Sequence, residues 1–302
     1  MLFRSHNNDY AGHSINNFFD ICGHTPKMMT LPVAKNLFVR GDIASAQQTV
    51  RLSLSKKQYN EQILHYKGSL WFNLMKDMGI RGTAPYLHQT RVQFSDPPST
   101  IENPEIQSGR VHMQSDTQEL IWNQEPESQA GITIRSPKTK GYIGFVGGQS
   151  FDLGDGIRLE IGTTSQDWVN VLLTYQGENE QGHQWLLVAT GNHENTGMIW
   201  KNEEKNSVGN QWGSGPPLVE PIPFRLTIST DIPNGNNNQT DTAIEFHSLN
   251  ELAEPEKDLN SLIKVENEKI TIDLMDSPQG LWYQIVFPKD NSMNSVSPSK
   301  FF

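Results

Sequence analysis

The sequence predicts a mainly β protein: an antiparallel β-sandwich preceded by a single strand–loop–helix (βα) unit. Nine short strand-like segments follow residue 110, and turn signals such as Gly147-Gly148 and Gly154-Asp155-Gly156 separate them. Many short strands with regular turn signals are typical of antiparallel sandwiches. Residues 1–46 differ, because a short apolar run and a polar loop lead into a segment with helical spacing.

The N-terminal βα unit is predicted to begin with a strand at residues 1–5 and to continue into a helix. Thr25 followed by Pro26 is favourable chemistry for a helix start, so we expect Thr25 to be the N-cap. Apolar residues then recur at helical spacing, and Gly41 is the expected C-terminal stop. Because a lone βα unit cannot bury its own faces, it is expected to belong to a larger assembly.

Residues 47–109 are predicted to connect the two parts. The alternation in TVRLSL predicts a strand, a short helix is expected after it, and the proline- and serine-rich residues 95–109 predict a linker. The sandwich is assigned to residues 110–290, and a disordered tail to residues 291–302.

Composition and charge exclude several partner classes. The net charge is −10 and basic residues do not cluster, which argues against nucleic acid, and no run of about 18 apolar residues predicts a membrane span. The first residues lack the apolar core of a signal peptide, so the compartment is left open. Cys22 is the single cysteine, which rules out an intrachain disulfide. A neutral, hydroxyl-rich ligand fits this balance better.

Several segments resemble one family of enzymes. They are LFRSHNNDY, the run FDICGHTPKMMTLPVAKNLFVRGD, and the sandwich motifs SDTQELIWN and NTGMIW. Together they resemble the C-terminal portion of bacterial glycoside hydrolases in which a TIM-barrel catalytic domain precedes a β-sandwich. The resemblance implies that residues 1–46 are a TIM-barrel remnant, comprising the last barrel strand, its loop and its helix.

The same resemblance implies where the catalytic groups lie. Glycosidic cleavage usually needs two carboxylates, and in such barrels they follow the fourth and seventh strands. Both positions would then lie upstream of Met1, so we name no catalytic residue in this chain. The chain would be a truncated product, a split subunit or an excised piece, its full-length relative would be secreted or periplasmic, and the missing barrel would be one partner.

Two groups of residues are predicted to bind carbohydrate. His6, Asn7 and Asp9 lie on a polar loop that would face the active-site end of a barrel. Trp200 and Trp212 lie near turn-rich loops where an indole can stack on a sugar ring, and Asn195 belongs to the same turn-rich stretch. The alternatives are a plain surface loop for the first group and packing against the sheet edge for the tryptophans.

Other chemistry finds little support. No cofactor is expected, although a structural calcium bound by Asp152, Asp155 and Glu160 is left open. The glycine-rich segment GDGIRLEIG is not followed by a helix or by Lys-Ser/Thr, so a phosphate loop is rejected. Glu194 and Glu220 are the carboxylates most embedded in motifs, but the sequence does not place them at the separation that hydrolysis needs.

The sequence is therefore consistent with three functions. The first is a non-catalytic C-terminal part of a polysaccharide-degrading glycoside hydrolase that braces the barrel and contacts carbohydrate. The second is a stand-alone carbohydrate-binding sandwich, and the third is a structural or partner-binding sandwich. The sugar, its linkage and the oligomeric state are not indicated by the sequence.

Overall fold

The computed structural model divides the chain into two compact units. The larger unit comprises residues 1–42 and 127–302, and the smaller unit comprises residues 43–126. The domain boundaries predicted from sequence stay a prediction. The residues that the structure describes are 24–65, 82–94, 112–147, 149–205, 207–229, 244–267 and 269–288.

Several predictions made from the sequence concern residues that the structure does not describe. The strand at residues 1–5, the short helix near residues 68–80, the linker at 95–109 and the tail at 291–302 lie outside the described residues. None of the described helices is both long and apolar enough to cross a bilayer.

The described α-helices all lie in the first part of the chain. In chain order, the elements described between residues 24 and 126 are α1 Thr25–Phe38, β1 Thr49–Leu54, α2 Lys56–His65, α3 Ala84–Leu87, β2 Gln89–Phe94, β3 His112–Gln114 and β4 Leu120–Asn123.

The rest of the described chain is almost entirely strand. These strands are β5 Gly131–Arg135, β6 Thr139–Phe145, β7 Ser150–Asp152, β8 Ile157–Ile161, β9 Trp168–Glu178, β10 Gly182–Thr190, β11 His193–Thr196, β12 Ser214–Val219, β13 Phe224–Ser229, β14 Glu245–Leu249, β15 Pro255–Asp258, β16 Ile263–Glu266, β17 Lys269–Asp273 and β18 Trp282–Pro288. Short 3₁₀ turns lie at Glu127–Gln129 and Asn260–Leu262.

The larger unit is built from antiparallel sheets. Its main sheet orders the strands of this unit as β15-β14-β18-β10-β9-β6-β5, and a second sheet has the order β16-β17-β13-β8-β7. Strands β11 and β12 form a separate antiparallel ladder. The prediction of a mainly β protein with antiparallel sheets is therefore confirmed for the described residues.

One hydrophobic core joins the two sheets. Tyr283 on β18 belongs to this core, and its ring stacks on Phe246 of the same sheet at 5.2 Å between centroids. The edge of the ring meets Phe224 of the second sheet at 5.9 Å. Tyr283 is fully buried, its hydroxyl donates to the Gln279 carbonyl, and burial raises its pKa above the ordinary value. A buried tyrosine with a satisfied hydroxyl is thus part of the contact between the sheets.

Strand β9 is buried on both faces, which decides where α1 packs. Val169, Val171 and Leu173 point into the core, whereas the alternate residues Asn170 and Leu172 are also buried. Successive side chains of a strand point to opposite faces of the sheet, so the face of β9 that carries Asn170 and Leu172 must be packed against another element. Helix α1 contacts β6, β9 and β10 and provides that cover.

Buried and polar contacts hold α1 on the sheet. Val33 is fully buried and Leu37 is 7% exposed, so the helix directs part of its apolar face inward. Asn36 Nδ2 donates to Thr174 Oγ1 at 3.1 Å. After the helix, Arg40 donates to the Tyr175 carbonyl at 2.5 Å. These contacts fix the position of the helix relative to β9.

The start of α1 differs from the sequence prediction. The N-cap is His24, whose Nδ1 accepts a hydrogen bond from the Lys27 backbone N–H at 3.3 Å. Thr25 is the first helical residue, so its assignment as N-cap is wrong. A ring nitrogen takes the role that a serine or aspartate oxygen usually has. The helix ends at Phe38, shortly before Gly41, which has a positive φ of 77°.

The smaller unit contains a parallel strand pair. Strands β1 and β2 pair in parallel, unlike the antiparallel pairs described in the larger unit. Val50, Leu52 and Leu54 are each at most 2% exposed, as the alternation predicts, but Ser53 between them is also buried, at 3%.

Asp116 of the SDTQELIWN motif links separate segments of the smaller unit through hydrogen bonds. The Asp116 carboxylate accepts the backbone N–H groups of Gln47 and Gln48 at 3.0 and 2.8 Å and lies 3.1 Å from His88 Nδ1. Burial alone would raise the pKa of Asp116, but these hydrogen bonds lower it below its usual range.

We predict that the shared core carries much of the stability of the larger unit. Leu187→Ala, at a residue 1% exposed, is expected to lower the free energy of unfolding by about 2–5 kcal/mol because it leaves a cavity. The matched control is Leu252→Ala, at a residue 72% exposed, and its expected effect is within about 0.5 kcal/mol. Urea unfolding followed by circular dichroism measures both. Equal losses would contradict this account of the core.

Candidate ligand-binding site

A pocket of about 300 Å³ lies between α1 and the strand ends beside it, within the larger unit. Its helix wall consists of His24, Pro26, Lys27, Thr30, Leu31 and Ala34. Its strand wall consists of Trp168, Asn170, Thr190, Gly191 and His193. The volume is at the lower end of the range for small-molecule sites.

Two histidines from distant parts of the chain meet at this pocket. His24 is the N-cap of α1, and His193 is the first residue of β11, just after the turn that follows β10. Their ring centroids are 3.6 Å apart, with the ring planes tilted by 46°. The turn in VATGNHENTGMIW therefore places His193 against the start of the helix.

Both imidazoles are held neutral. Burial, then the neighbouring His193, then Lys27 lower the pKa of His24 to about 3. Burial and then Lys27 lower the pKa of His193 to about 4. A second positive charge in this space would be both desolvated and repelled. At neutral pH the positive charge on the pocket wall therefore comes from Lys27.

Asn170 anchors the floor of the pocket through its amide nitrogen. Its Nδ2 donates to Thr30 Oγ1 at 3.0 Å and to Thr190 Oγ1 at 3.3 Å. Thr30 Oγ1 in turn donates to the Pro26 carbonyl at 2.7 Å. This chain of hydrogen bonds ties β9 and β10 to the first turns of α1.

The amide oxygen of Asn170, unlike its nitrogen, lacks a hydrogen bond among the described residues. The side chain is 7% exposed, and its Oδ1 is buried with no hydrogen-bond partner among the described residues. A buried acceptor without a donor costs about 1–3 kcal/mol. A ligand that supplies a donor would recover part of that cost.

Trp168 supplies the aromatic surface of the pocket. It is the first residue of β9 and is 37% exposed, although most large apolar residues of the same strand are buried. An exposed indole beside polar side chains can stack on an apolar ligand face while those side chains bind its polar edge.

Of the residues predicted to bind substrate, none that the structure describes lines this pocket. His6, Asn7 and Asp9 lie outside the described residues. Asn195 is buried, and its Nδ2 donates to the Trp212 carbonyl at 2.7 Å, so it links β11 to the segment before β12. Trp200 and Trp212 are partly buried. Their assignment to sugar binding stays a prediction.

The carboxylates singled out from the sequence have other partners. Glu194 Oε2 accepts from Trp200 Nε1 at 2.7 Å and from Lys205 Nζ at 2.9 Å. The hydrogen bonds from Lys205 and then Trp200 lower the pKa of Glu194 below its usual range. Glu220 accepts from the backbone N–H and the hydroxyl of Ser165 at 2.7 and 2.8 Å. Both glutamates therefore fix loops.

The carboxylates considered for calcium each face a different cation. Asp152 pairs with Arg135 at 3.3 Å, Asp155 with Lys140 at 2.5 Å, and Glu160 with Arg225 at 3.1 Å. Within the described ranges, no group of three or more His, Cys, Asp and Glu side chains could hold a metal ion. The expectation that the protein has no cofactor stays a prediction.

Comparison with known proteins adds no relative. No family model, no curated protein and no solved structure matches this chain. The glycoside hydrolase resemblance therefore stays a prediction based on the quoted motifs.

The sequence indicates only some of the residues that line the pocket. Asn170 interrupts the apolar run of β9, which signals a polar group facing a buried surface, and the histidine in VATGNHENTGMIW stands out in a turn. Nothing in the sequence connects His193 with His24, because their contact depends on where α1 packs. Trp168 differs from the other tryptophans only in its exposure, which the sequence does not give.

We predict that the two histidines make folding pH-dependent. Unfolded imidazoles have pKa values of about 6.5, above those of the folded protein, so the unfolded chain binds more protons as the pH falls. The free energy of unfolding should be highest above pH 6.5 and should decrease toward pH 4. After allowance for partial exposure, we expect about 1 kcal/mol per pH unit from His193.

Urea unfolding at several pH values between about 7.5 and 4, spanning that window, measures this slope. His193→Gln should reduce the slope, and His112→Gln, at an exposed position of β3, controls for the loss of one histidine. The account is wrong if both variants retain the slope of the wild type.

Proposed function

We propose that this chain is a non-catalytic β portion of a polysaccharide-degrading glycoside hydrolase, which braces a TIM-barrel catalytic domain and contacts carbohydrate. In this proposal the two antiparallel sheets form the β-sandwich of that enzyme. Residues 1–46, including α1, would be the last strand, loop and helix of the barrel. The alternatives are a stand-alone carbohydrate-binding sandwich and a structural or partner-binding sandwich.

The packing of α1 supports the bracing role. Val33 and Leu37 bury against the main sheet, and Asn36 is hydrogen-bonded to Thr174. Asp42 then accepts from Thr139 Oγ1 at 2.6 Å, which extends the polar contacts past the end of the helix. A helix that belongs to one domain and packs on another transmits the position of the first to the second.

The observation that carries the carbohydrate role is the pocket between α1 and β9. It combines the exposed ring of Trp168 with the buried amide of Asn170 and the hydroxyl groups of Thr30 and Thr190. A pyranose presents an apolar C–H face and a polar hydroxyl rim. One aromatic surface with a few convergent polar groups matches that pattern.

The chemistry of the pocket wall supports a binding role over a hydrolytic one. Glycosidic cleavage usually uses two carboxylates that flank the bond. The residues that line the pocket are neutral apart from Lys27, and Glu194 beside His193 is engaged by Trp200 and Lys205.

We predict that Trp168→Ala weakens carbohydrate binding about tenfold or more. Burying about 60 Å² of an indole face at about 25 cal/mol per Å² contributes about 1.5 kcal/mol, which is roughly tenfold in Kd. Affinity electrophoresis of the pure protein through gels containing a panel of soluble polysaccharides measures the effect. The release of reducing ends from the same polysaccharides measures turnover, and none is expected.

Two further variants make the test specific. Tyr86→Ala removes an aromatic residue that is 45% exposed in the smaller unit and should leave retardation unchanged. Trp212→Ala tests the site that the sequence suggested. The proposal fails if the folded protein is retarded by none of the polysaccharides, or if it hydrolyses any of them. Loss of retardation in Trp212→Ala alone would move the site away from the pocket.

A further inference from the structure

We propose that the pocket between α1 and β9 holds one neutral hexose residue, which donates a hydroxyl hydrogen to Asn170 Oδ1 while the rest of the oligosaccharide stays outside. This inference rests on the proposed carbohydrate-binding function and names the ligand of that same site. It follows from the volume of the pocket, from the hydrogen bonds of Asn170, and from the chemistry of the side chains that line the pocket.

The volume of the pocket limits how much of a sugar chain can enter. A hexose displaces about as much liquid volume as six water molecules, which is roughly 180 Å³ at about 30 Å³ each. The pocket has about 300 Å³, so one hexose fits, whereas two would need about 360 Å³. The volume therefore matches a single residue rather than a longer stretch of chain.

Two contacts join the walls of the pocket and favour a compact ligand over an extended one. His24 and His193 meet with their ring centroids 3.6 Å apart. Asn170 Nδ2 donates to Thr30 Oγ1 at 3.0 Å and so links β9 to α1. A sugar chain that passed between the helix and the strands at either place would have to break one of these contacts.

Asn170 defines the hydrogen bond that the ligand has to supply. Its side chain is more than nine-tenths buried, and its Nδ2 is already bonded to the hydroxyls of Thr30 and Thr190. The atom without a partner among the described residues is Oδ1, which can only accept. A sugar hydroxyl donates to it, whereas a carboxylate or sulfate oxygen would bring two acceptors together. Because Oδ1 is covered from bulk water, the donor has to be a group inserted into the pocket.

The side chains that line the pocket favour a ligand without charge. Among the described lining residues none is acidic, so no carboxylate there offsets the charge of an amino sugar. His24 and His193 are neutral at neutral pH, because burial lowers the pKa values of both. Trp168, which is 37% exposed, offers a flat apolar surface to the C–H face of a hexose.

The length of the sugar tests the size of the ligand. Isothermal titration of the full chain with glucose, mannose and galactose, and with their oligosaccharides of up to four residues, measures the Kd. In the series that binds, we predict that the monosaccharide and the tetrasaccharide differ by no more than about threefold in Kd, because added residues stay outside the pocket. A gain of about tenfold with each added residue would show an extended groove and would overturn the inference.

Replacement of single hydroxyls tests the hydrogen bond to Asn170. Fluorine is close to a hydroxyl in size but cannot donate, so monodeoxyfluoro derivatives of the hexose that binds remove one donor at a time. At one ring position or more, we predict a loss of about tenfold in affinity, since the buried oxygen is then left unsatisfied. Asn170→Leu should remove that difference between hexose and derivative, whereas the matched control Asn123→Leu, on β4, should keep it.

The outcomes separate this inference from the proposed function. Wild-type protein that binds every fluoro derivative as tightly as the hexose overturns the inference, and this result does not depend on whether Asn170→Leu folds. A fluorine penalty that survives in folded Asn170→Leu also overturns it. So does tighter binding of the uronic acid or the amino sugar than of the neutral hexose. Each of these results leaves carbohydrate binding intact, whereas the absence of any binding by the folded protein overturns both proposals.

Discussion

The packing of α1 on the outer face of the main sheet is the contact on which the proposed site depends. Strand β9 has buried residues on both faces, and the second sheet covers only one of them. Val33 and Leu37 cover the other face, while Asn36 and Thr30 meet the polar groups of the strand. Without this helix, Leu172 and its neighbours would be exposed to water at a cost of about 25 cal/mol per Å².

The pocket forms where the close packing of α1 on the main sheet ends, near the N-terminus of the helix. Near the C-terminal part of α1, side chains interlock with the sheet, but near its N-terminus the polar residues Asn170 and Thr190 replace apolar ones. Buried polar groups need hydrogen-bond partners, and here Asn170 Oδ1 has no donor among the described residues. His24 and His193 then close one side of the space. A structural requirement, covering β9, thereby produces a site with the properties of a small ligand pocket.

The sequence predicts the strands better than the site, for a physical reason. Alternation and turn residues are local, so β10, β13, β17 and β18 follow from the pattern of apolar residues. The N-cap of α1 was assigned to Thr25 because hydroxyls usually cap helices, whereas the structure uses the ring of His24. The pair His24–His193 requires knowledge of tertiary packing, and the ladder of β11 with β12 lacks an apolar alternation that would reveal it.

The most direct test of the account is the crystal structure of the protein soaked with an oligosaccharide that binds in solution. The account predicts a sugar ring against Trp168 and a hydroxyl within hydrogen-bond distance of Asn170 Oδ1. A sugar bound at Trp200 or Trp212, with this pocket filled only by water, would contradict it.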